Sequence, residues 1–457
     1  MFLEKNNSAS FRDPSGFVYE KDGVLYRCIN RRYKEHYEKL IGSGLYDRLE
    51  KEGLLIPHEE VDVQFNDPTV YKIVKPRKIP VVSYPYEWSF SQLKDAALLT
   101  LKVQKMALDY GMTLKDASAF NVQFIGCSPV FIDTLSFEQY SDHSPWQAYR
   151  QFCQHFLFPL MLMHYTGHNA AFLFKEFIDG LPVEYVAPLL PLRSWFSLTP
   201  VLHVHLQAFM KRKYSSTKQT EHTQNMSKQD LYRITESMYD YIKGLEVAQS
   251  SFWADYYTDN NYSDTASNEK LNVVKQFAQC ISKGIVWDIG SNDGKYSRAI
   301  ASDDKYVITF DSDPAVVEAN YKQCRQSAHS TILSLVNDFS NPSPSIGWAN
   351  EERGLLVERA KPDLIVFLAV LHHIRISGNV PLALIAAYLA SLGPFLIIEF
   401  ISKEDSQVQR LLKNREDIFD DYTKEGFEAI FAENYGICER HEINESHRVL
   451  YLMRVKQ

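Results

Sequence analysis

The sequence predicts an α/β protein in which an α+β N-terminal domain precedes a C-terminal domain built on a parallel β-sheet. From about residue 284 onwards, short apolar runs typical of buried strands alternate with stretches of helical periodicity, which favours a parallel sheet covered by helices. The first part of the chain begins instead with a hairpin pattern that turns at Lys21-Asp22-Gly23, followed by a predicted helix over 31–52. With 457 residues, of which 45% are apolar, the chain is long enough for two or three domains with sizeable cores.

The clearest local signal is a glycine-containing turn between a strand and a helix. Apolar residues between 285 and 289 predict a buried strand, Gly290 to Gly294 a tight turn, and Tyr296 the start of a helix. Glycines let the backbone approach a ligand closely, and a helix N-terminus offers N–H groups that have no partner within the helix. The turn is therefore a candidate cofactor loop.

The spacing within this turn argues against the familiar nucleotide-binding loops. A dinucleotide fingerprint requires G-x-G-x-x-G, but Asn292 and Lys295 stand at the second and third glycine positions. A Walker A loop requires G-x-x-x-x-G-K-[ST], but Gly290 to Gly294 is one residue too short, and Tyr296 occupies the last position. NAD and nucleoside triphosphates are therefore disfavoured as ligands of this turn.

The pattern Asp288-x-Gly290-x-Asn292-x-Gly294 resembles the first motif of class I S-adenosylmethionine-dependent methyltransferases. The resemblance implies a Rossmann-like methyltransferase sheet in the C-terminal domain. It also implies that the acidic residue and the glycine turn hold the amino-acid end of the cofactor, S-adenosyl-L-methionine. Asn292 stands where the family has its central glycine, a departure that leaves the resemblance in place.

Acidic residues further along the chain extend the resemblance. The strand pattern over 306–310 ends on Asp311, about twenty residues past Gly290, where an acidic side chain can accept both ribose hydroxyls. A third strand pattern over 330–336 is followed by Asp338, where family members often place an acid near the adenine amino group. The resemblance therefore implies Asp311 as the ribose ligand and Asp338 as an adenine ligand.

Candidate catalytic residues follow the next strand patterns. An apolar run over 362–371 leads directly into His372 and His373, and ligands of open α/β sheets lie beyond the carboxyl ends of the strands. His373 matches the histidine that many small-molecule methyltransferases carry after their fourth strand, so it is the first choice of base for a hydroxyl acceptor. His372 is an alternative base, as is Glu399 in the strand pattern over 395–400. Both histidines also fit strand-end residues with a purely structural role.

The predicted fourth strand lacks the N/D-P-P-Y motif of many adenine and glutamine amide methyltransferases. We therefore expect an enzyme that transfers a methyl group from S-adenosylmethionine to a small-molecule oxygen, nitrogen or carbon, with the N-terminal domain helping to recognise the substrate. A non-catalytic protein that binds the cofactor as a sensor is an alternative.

A further group of residues suggests phosphate chemistry in the N-terminal domain. Asp116, Asn121 and a hydrophobic hairpin ending on Asp133 are similar to the catalytic loop and metal-binding segment of protein-kinase-like and aminoglycoside-phosphotransferase-like folds. This resemblance, over about 10–210, implies that Asp116 orients an acceptor hydroxyl while Asn121 and Asp133 hold the magnesium of Mg-ATP, which gives a bifunctional phosphotransferase and methyltransferase. Leu114 replaces the expected histidine, however, and neither an intact glycine-rich loop nor the nucleotide-binding lysine is evident. The alternative is that these are turn and capping residues.

Composition and periodicity predict the domain boundaries. The predicted order is an α+β domain over 1–210, a polar linker or loop over 211–230, a helical connector over 231–270 and the methyltransferase domain over 271–457. In the connector, the resemblance to methyltransferases implies Tyr257 and Tyr262 as candidate lid residues over the cofactor, with core packing as the alternative. The aromatic residues from 144 to 210, Trp195 among them, are expected to be mainly core, although they also suit an apolar substrate cleft.

Net charge and cysteine content indicate which binding partners and which cellular compartment to expect. A net charge of −8 and a pI near 6.0 give no general attraction to nucleic acid or anionic membrane, so we expect neither as a partner. The six cysteines are scattered without a C-x-x-C pair, which predicts neither a disulfide framework nor a zinc site and fits a reducing cytoplasm. The nearly charge-free run over 380–398 is better explained as a buried helix and strand than as a membrane span.

Overall fold

The computed structural model describes residues 7–63, 67–214, 226–247, 264–327, 329–413 and 415–456. The chain forms two compact units. The first comprises Met1–Gln249 and Ser345–Gly354, and the second comprises Ser250–Pro344 and Leu355–Gln457. Within the described ranges, no helix has both the length and the apolar character needed to cross a membrane.

An antiparallel sheet begins the first unit. The strands of this unit are β1 Gly16–Lys21, β2 Val24–Asn30, β3 His58–Val61, β4 Val70–Pro76, β5 Met112–Leu114, β6 Val122–Ile125, β7 Ser128–Phe131 and β8 Phe137–Gln139. The main sheet has the order β1-β2-β4-β3, while β5 pairs with β8 and β6 with β7. The predicted hairpin between β1 and β2 is confirmed, because Asp22 and Gly23 take the positive φ values of 52° and 74° that a tight two-residue hairpin turn requires.

Helices make up most of the remaining first unit. They are α1 Lys34–Gly42, α2 Leu45–Lys51, α3 Phe90–Asp109, α4 Tyr149–Phe152, α5 Phe158–Thr166, α6 Val183–Val186, α7 Leu198–Pro200, α8 Leu206–Tyr214 and α9 Lys228–Gly244. Short 3₁₀ helices span Arg31–Tyr33, Pro85–Glu87, Ala119–Asn121, Thr134–Ser136, Ala171–Lys175, Ala187–Leu189, Leu192–Phe196 and Trp348–Asn350, and π-helical turns span Cys153–Leu157 and Val201–His205. The helix predicted over 31–52 is interrupted, because Gly44 adopts a left-handed φ of 81° between α1 and α2.

Residues 79–84 form no strand, although their apolar residues are typical of one. The backbone N–H of Ser83 donates to Gln123 Oε1 at 2.8 Å, and Gln123 Nε2 donates to the Ser83 carbonyl at 2.9 Å. A buried glutamine side chain thus satisfies the backbone groups that a neighbouring strand would otherwise pair.

Helix α9, predicted as part of the connector over 231–270, belongs to the first unit. It packs on α3, where Lys105 Nζ lies 2.9 Å from Glu236 Oε1. Just beyond α9, the Leu245 carbonyl accepts a hydrogen bond from Lys94 Nζ at 2.8 Å. The polar segment predicted as a linker over 211–230 begins within α8 and ends within α9, because both helices extend into it.

The second unit is an α/β sheet covered by helices. Its strands are β9 Gly284–Ile289, β10 Lys305–Asp311, β11 Ile332–Val336, β12 Leu364–Phe367, β13 Phe395–Ile401, β14 Tyr435–Glu442 and β15 Arg448–Val455. Its helices are α10 Asp264–Phe277, α11 Lys295–Ile300, α12 Pro314–Gln326, α13 Leu356–Arg359, α14 Leu382–Leu392, α15 Ser406–Leu412 and α16 Lys424–Phe431, with a 3₁₀ helix at Ala278–Cys280 and a π-helical turn at His373–Ser377.

The order of the strands in this sheet is β11-β10-β9-β12-β13-β15-β14. β9 to β13 run parallel, and β15 and β14 close the sheet as an antiparallel hairpin. This arrangement confirms the predicted methyltransferase-like sheet. The chain order reverses direction between β9 and β12, and ligands of open α/β sheets lie at such a switch point.

One short segment leaves the second unit between β11 and β12. Residues Ser345–Gly354 belong to the first unit, where the guanidinium of Arg12 donates to both carboxylate oxygens of buried Glu352 at 2.7 and 2.8 Å. Next to this ion pair, the Arg353 guanidinium lies 4.3 Å from the centre of the Phe120 ring. The first unit therefore includes residues that the sequence-based boundaries assign to the methyltransferase domain.

Candidate active site

A cavity of about 460 Å³ lies at the carboxyl ends of β9, β10, β11 and β12. Most of the residues that the sequence predicts as a cofactor and catalytic site line it: Asp288, Gly290, Asn292, Asp311, Asp338 and His373. Gly294, His372 and Glu399 are outside this lining. The parallel strands thus bring residues that lie far apart in the sequence to one cavity.

The turn after β9 is shaped by residues with left-handed backbone conformations. Gly290 and Gly294 have φ values of 71° and 80°, and a Cβ at these positions would overlap the side chains of Val370 and Asn320 respectively. Asn292, at the position of the family's central glycine, has a φ of 48°, a conformation that asparagine adopts more readily than most residues. The departure from the motif therefore preserves the shape of the turn.

A carboxylate holds this turn against the neighbouring strand. Asp311 ends β10 and accepts hydrogen bonds from the backbone N–H groups of Asn292 and Asp313, both at 3.0 Å. Burial raises the pKa of Asp311 to about 6 even though these N–H groups favour its charged form. Asp311 thus presents a buried carboxyl group to the cavity.

Asp288 is the second buried carboxyl group in the cavity wall. It lies within β9 and accepts a hydrogen bond from the Ser297 hydroxyl of α11. Burial raises its pKa to about 6, and the nearby charge of Asp311 contributes in the same direction. The site therefore holds two carboxyl groups whose proton affinity is increased.

Lys270 lines the cavity and was not identified from the sequence. It lies on α10, its ammonium is 2.7 Å from Glu399 Oε2, and it lies 5.1 Å from the centre of the Tyr296 ring. Burial lowers its pKa. A sequence signal for Lys270 exists, because it shares a helical face with the buried residues Val274 and Phe277 at i+4 and i+7.

Glu399 belongs to a buried ionic network rather than to the cavity wall. Its side chain is 0% exposed; Oε2 accepts from Lys270, and Oε1 lies 3.6 Å from Arg448 Nη1. Arg448 Nε in turn lies 3.0 Å from Asp405 Oδ2. The expectation that Glu399 ends near the reaction mouth as a base is therefore corrected: β13 directs its side chain into a buried ion pair.

The two histidines occupy different environments. β12 ends at Phe367, earlier than predicted, because Ala369 adopts a φ of 55° and redirects the chain towards the π-helical turn. His373 lines the cavity, whereas His372 is 1% exposed and lies behind it, with 4.2 Å between the ring centres. Burial lowers the pKa of His373 and holds that of His372 well below its ordinary value. A base has to line the cavity, and His372 does not.

Two polar residues after β11 line the same cavity. Asp338 is exposed, and its Oδ1 accepts from the Ser340 N–H at 2.8 Å. Asn337 is buried, and within the described structure its Oδ1 has no hydrogen-bond partner. A buried acceptor without a partner is costly, and a ligand amino group would satisfy it. Asn337 is thus a further candidate ligand that the sequence motifs did not identify.

The residues predicted as a nucleotide and metal site lie together in the first unit. Asn121 Nδ2 donates to Asp116 at 2.9 Å and to the hydroxyl of Ser136 at 3.1 Å, and that hydroxyl donates to Asp133. Asp133 is also ion-paired with Arg27. Among the described residues, no group of three or more His, Cys, Asp or Glu side chains is arranged to hold a metal ion.

Asp116 and Asp133 also accept the local hydrogen bonds of turn and capping residues. Asp116 Oδ1 accepts from the Ser118 N–H at 2.9 Å, and Asp133 Oδ1 accepts from the Leu135 N–H at 3.1 Å. The kinase-like resemblance stays a prediction. The predicted lid residues Tyr257 and Tyr262 lie outside the described residues.

Comparisons with known proteins add relatives of this chain. No protein-family model matches it. Nodulation protein NoeA of Rhizobium meliloti (strain 1021) is 33% identical over 456 residues, covering 97% of this chain and 95% of that protein.

Solved methyltransferase structures resemble part of the chain. N-methyltransferase NodS from Bradyrhizobium japonicum WM9, in complex with S-adenosyl-L-homocysteine, is 16% identical with a TM-score of 0.33, covering 46% of this chain and 94% of its own. Magnesium protoporphyrin IX methyltransferase ChlM from Synechocystis PCC 6803, with bound S-adenosylhomocysteine, is 15% identical with a TM-score of 0.32, covering 46% of this chain and 90% of its own. At these TM-scores, neither structure assigns a substrate to this chain.

Proposed function

This chain belongs to the family of the nodulation protein NoeA, and we propose that it transfers the methyl group of S-adenosylmethionine to an oxygen, nitrogen or carbon atom of a small molecule. The observation that carries the proposal is the cavity at the switch point of a methyltransferase-like sheet. The glycine turn after β9 and the carboxyl groups of Asp288 and Asp311 all face this cavity.

The residues in the cavity wall fit the parts of this cofactor. Asp311 would accept the ribose hydroxyls, and Asp338 and Asn337 would hold the adenine amino group. Lys270 is the only lysine or arginine among the described residues of the lining, and we assign its ammonium to the amino-acid carboxylate. Glu399 keeps that ammonium in place by pairing with it.

When bound, S-adenosylmethionine supplies a methyl carbon that its sulfonium group already activates. The chain therefore has to align the acceptor and exclude water. Burial keeps His373 neutral near pH 7, so its ring can take the proton of an acceptor hydroxyl. We propose His373 as the base, with His372 packing behind it to hold its orientation.

His373→Ala is expected to lower kcat by about 100-fold or more for a hydroxyl acceptor, because general base catalysis typically contributes this much. The dissociation constant for S-adenosylmethionine should stay nearly unchanged, since other residues hold the cofactor. Calorimetry and single-turnover kinetics separate the two quantities, and His447→Ala, at a half-exposed histidine of the same unit, is the control. Full activity of His373→Ala with a hydroxyl acceptor contradicts the assignment.

Cofactor affinity should depend on pH through the two buried carboxyl groups. Burial raises the pKa of Asp288 and Asp311 from the ordinary 3.8 to about 6. A ribose hydroxyl donates to a carboxylate, so binding is strongest above this pKa and weakens by up to about tenfold per pH unit below it. Calorimetric titrations between about pH 5 and pH 8 measure this profile. A flat profile contradicts the role of Asp311.

The raised pKa values of Asp288 and Asp311 also make the stability of the ligand-free chain depend on pH, in the opposite direction to cofactor affinity. Because the folded pKa values of Asp288 and Asp311 lie above the unfolded value, the folded state binds more protons between about pH 4 and pH 6. The contribution of these groups to the stability of the ligand-free chain therefore falls as the pH rises through this range. Denaturant unfolding without cofactor at both ends of the range measures the difference.

The direct test of the proposed function is formation of S-adenosylhomocysteine. The purified chain is titrated with S-adenosylmethionine and then incubated with panels of small-molecule alcohols, phenols, amines and carbon acids. Cofactor binding together with acceptor-dependent S-adenosylhomocysteine formation supports the proposal. Binding without any product across the panels supports the sensor alternative, and absence of binding contradicts the cofactor assignment.

We also propose that the N-terminal domain over 1–210 helps to recognise the acceptor, with 271–457 as the methyltransferase domain. The chain passes between the two units more than once, because Ser345–Gly354 returns to the first unit, and this connectivity supports a joint role. Hydrogen exchange with and without acceptor tests this role of the N-terminal domain. Acceptor-dependent protection that is confined to the second unit contradicts it.

The phosphotransferase alternative is disfavoured by the charge around Asp133. Its carboxylate is ion-paired with Arg27 and accepts from Ser136, partners that compete with a magnesium ion. Calorimetric titration with Mg-ATP tests this alternative. Binding heat that is present in the original chain and absent in Asp133→Ala supports a chain that is both a phosphotransferase and a methyltransferase.

A further inference from the structure

Several large apolar side chains of the first unit are exposed between residues 192 and 210. In the 3₁₀ helix Leu192–Phe196, Leu192 is 82%, Trp195 54% and Phe196 92% exposed. Soluble proteins scatter single exposed apolar residues, but contiguous exposed patches mark surfaces that bind a partner. This stretch therefore requires an explanation other than core packing.

The helical segment that follows continues the same surface. From α7 through the π-helical turn to α8, Leu198, Leu202, Leu206 and Phe209 are between 44% and 72% exposed. Their spacing of three or four residues places them along one side of the helix. These residues, together with Leu192, Trp195 and Phe196, form what we name the 192–210 face.

The opposite side of the helix packs against the first unit. Val204 is 0%, His205 6% and Ala208 5% exposed. The indole of Trp195 stacks on the buried His205 ring, with 4.0 Å between ring centres and 9° between planes. The helix is therefore fixed by its buried side, and the 192–210 face is held outwards on a rigid element.

Basic residues border this face, although the chain as a whole carries a net charge of −8. Lys211, Arg212 and Lys213 are consecutive and exposed at the end of α8. All three also have interaction partners within the chain, and for Lys211 the partner is Glu184 Oε1 at 2.5 Å. Aromatic and leucine side chains beside a cluster of lysine and arginine are the combination that binds the interface of anionic membranes.

The projecting side chains of the 192–210 face favour a lipid bilayer over a protein as its partner. Side chains that are 72% to 92% exposed, such as Leu192, Phe196 and Leu198, project from the surface rather than line a groove. A bilayer interface accepts projecting apolar groups without a matching cavity, whereas a protein partner has to supply one for each.

We propose that the 192–210 face is a peripheral membrane-binding surface that inserts its apolar side chains among the headgroups of an anionic phospholipid bilayer, while Lys211, Arg212 and Lys213 pair with lipid phosphates. This inference is independent of the proposed methyl transfer. It adds a membrane surface that the net charge of the sequence gave no reason to expect.

The test measures binding of the full chain to phosphatidylcholine vesicles with and without phosphatidylglycerol. We expect co-sedimentation with the anionic vesicles, with a blue shift of tryptophan emission that Trp195→Phe removes. Phe196→Ser combined with Leu198→Ser should lower binding at least about tenfold, because it removes apolar groups that enter the interface. The control Leu384→Ser, at a 61% exposed leucine of α14, should leave binding unchanged.

Charge reversal provides a second, independent variant. Arg212→Glu with Lys213→Glu should lower binding to anionic vesicles, and added salt should have the same effect on the unaltered chain. Circular dichroism and thermal unfolding check that every variant is folded. No sedimentation with anionic vesicles at low salt, or equal sedimentation of all variants, overturns the proposal. Self-association that Phe196→Ser and Leu198→Ser abolish, without vesicle binding, assigns the face to a second copy and also overturns it.

Discussion

Asp311→Ala is expected to raise the dissociation constant for S-adenosylmethionine by about 100-fold or more, because it removes two charge-assisted hydrogen bonds to the ribose. The substitution also removes the acceptor for the backbone N–H groups of Asn292 and Asp313, which loosens the turn after β9. Isothermal titration calorimetry measures the loss.

The controls for Asp311 separate binding from folding. Asp303→Ala changes an exposed aspartate just before β10 and should leave affinity within about twofold of the unaltered chain. Asp311→Asn keeps the side-chain shape and should still lose most of the affinity, because an amide oxygen lacks the carboxylate charge. An Asp311→Ala chain that binds within about threefold of the original refutes the ribose assignment.

Glu399→Gln is expected to lower the free energy of unfolding by about 3–5 kcal/mol, because it removes one partner of a buried ion pair. Glu399 is 0% exposed, and its loss leaves the ammonium of Lys270 without its carboxylate in a low-dielectric environment. Arg448 retains Asp405, so the uncompensated charge falls mainly on Lys270. Denaturant unfolding of the ligand-free chain measures this difference.

A surface ion pair in the same unit provides the matched control. Glu404 lies 3.1 Å from His447 Nδ1, and both side chains are largely exposed. Glu404→Gln should change stability by less than about 1 kcal/mol, since solvent screens such pairs. If both glutamine variants have the same small effect, the buried network does not contribute as proposed. A base role for Glu399 instead predicts a loss of kcat without a loss of stability.

Local patterns explain why much of the second unit was predictable. Each strand from β9 to β13 carries its own apolar run, and the turn from Gly290 to Gly294 carries its own glycine spacing, so a short window contains the signal. Parallel strands then align their carboxyl ends, which brought Asp288 and Asp311 to one cavity as expected.

Sequence patterns predicted the wrong environment for side chains whose burial depends on residues far away in the sequence. Trp195 was expected to be mainly core because aromatic stripes usually are, but the helix turns its other side inwards and leaves the indole 54% exposed. Glu399 was expected at the mouth because it lies near the end of an apolar strand pattern, but the strand directs its side chain to Arg448 and Lys270.

The sequence by itself determined the methyltransferase-like sheet and the glycine turn after β9, because the residues that specify each of them lie close together along the chain. The tertiary structure decided which charged groups reach the cavity and which side of a helix remains uncovered. Lys270 and Glu399 are 129 residues apart, and only the packing of α10 against β13 brings them into contact. The partner of a buried charge and the exposure of a helix face depend on segments that no local pattern identifies, so they follow only from the folded chain.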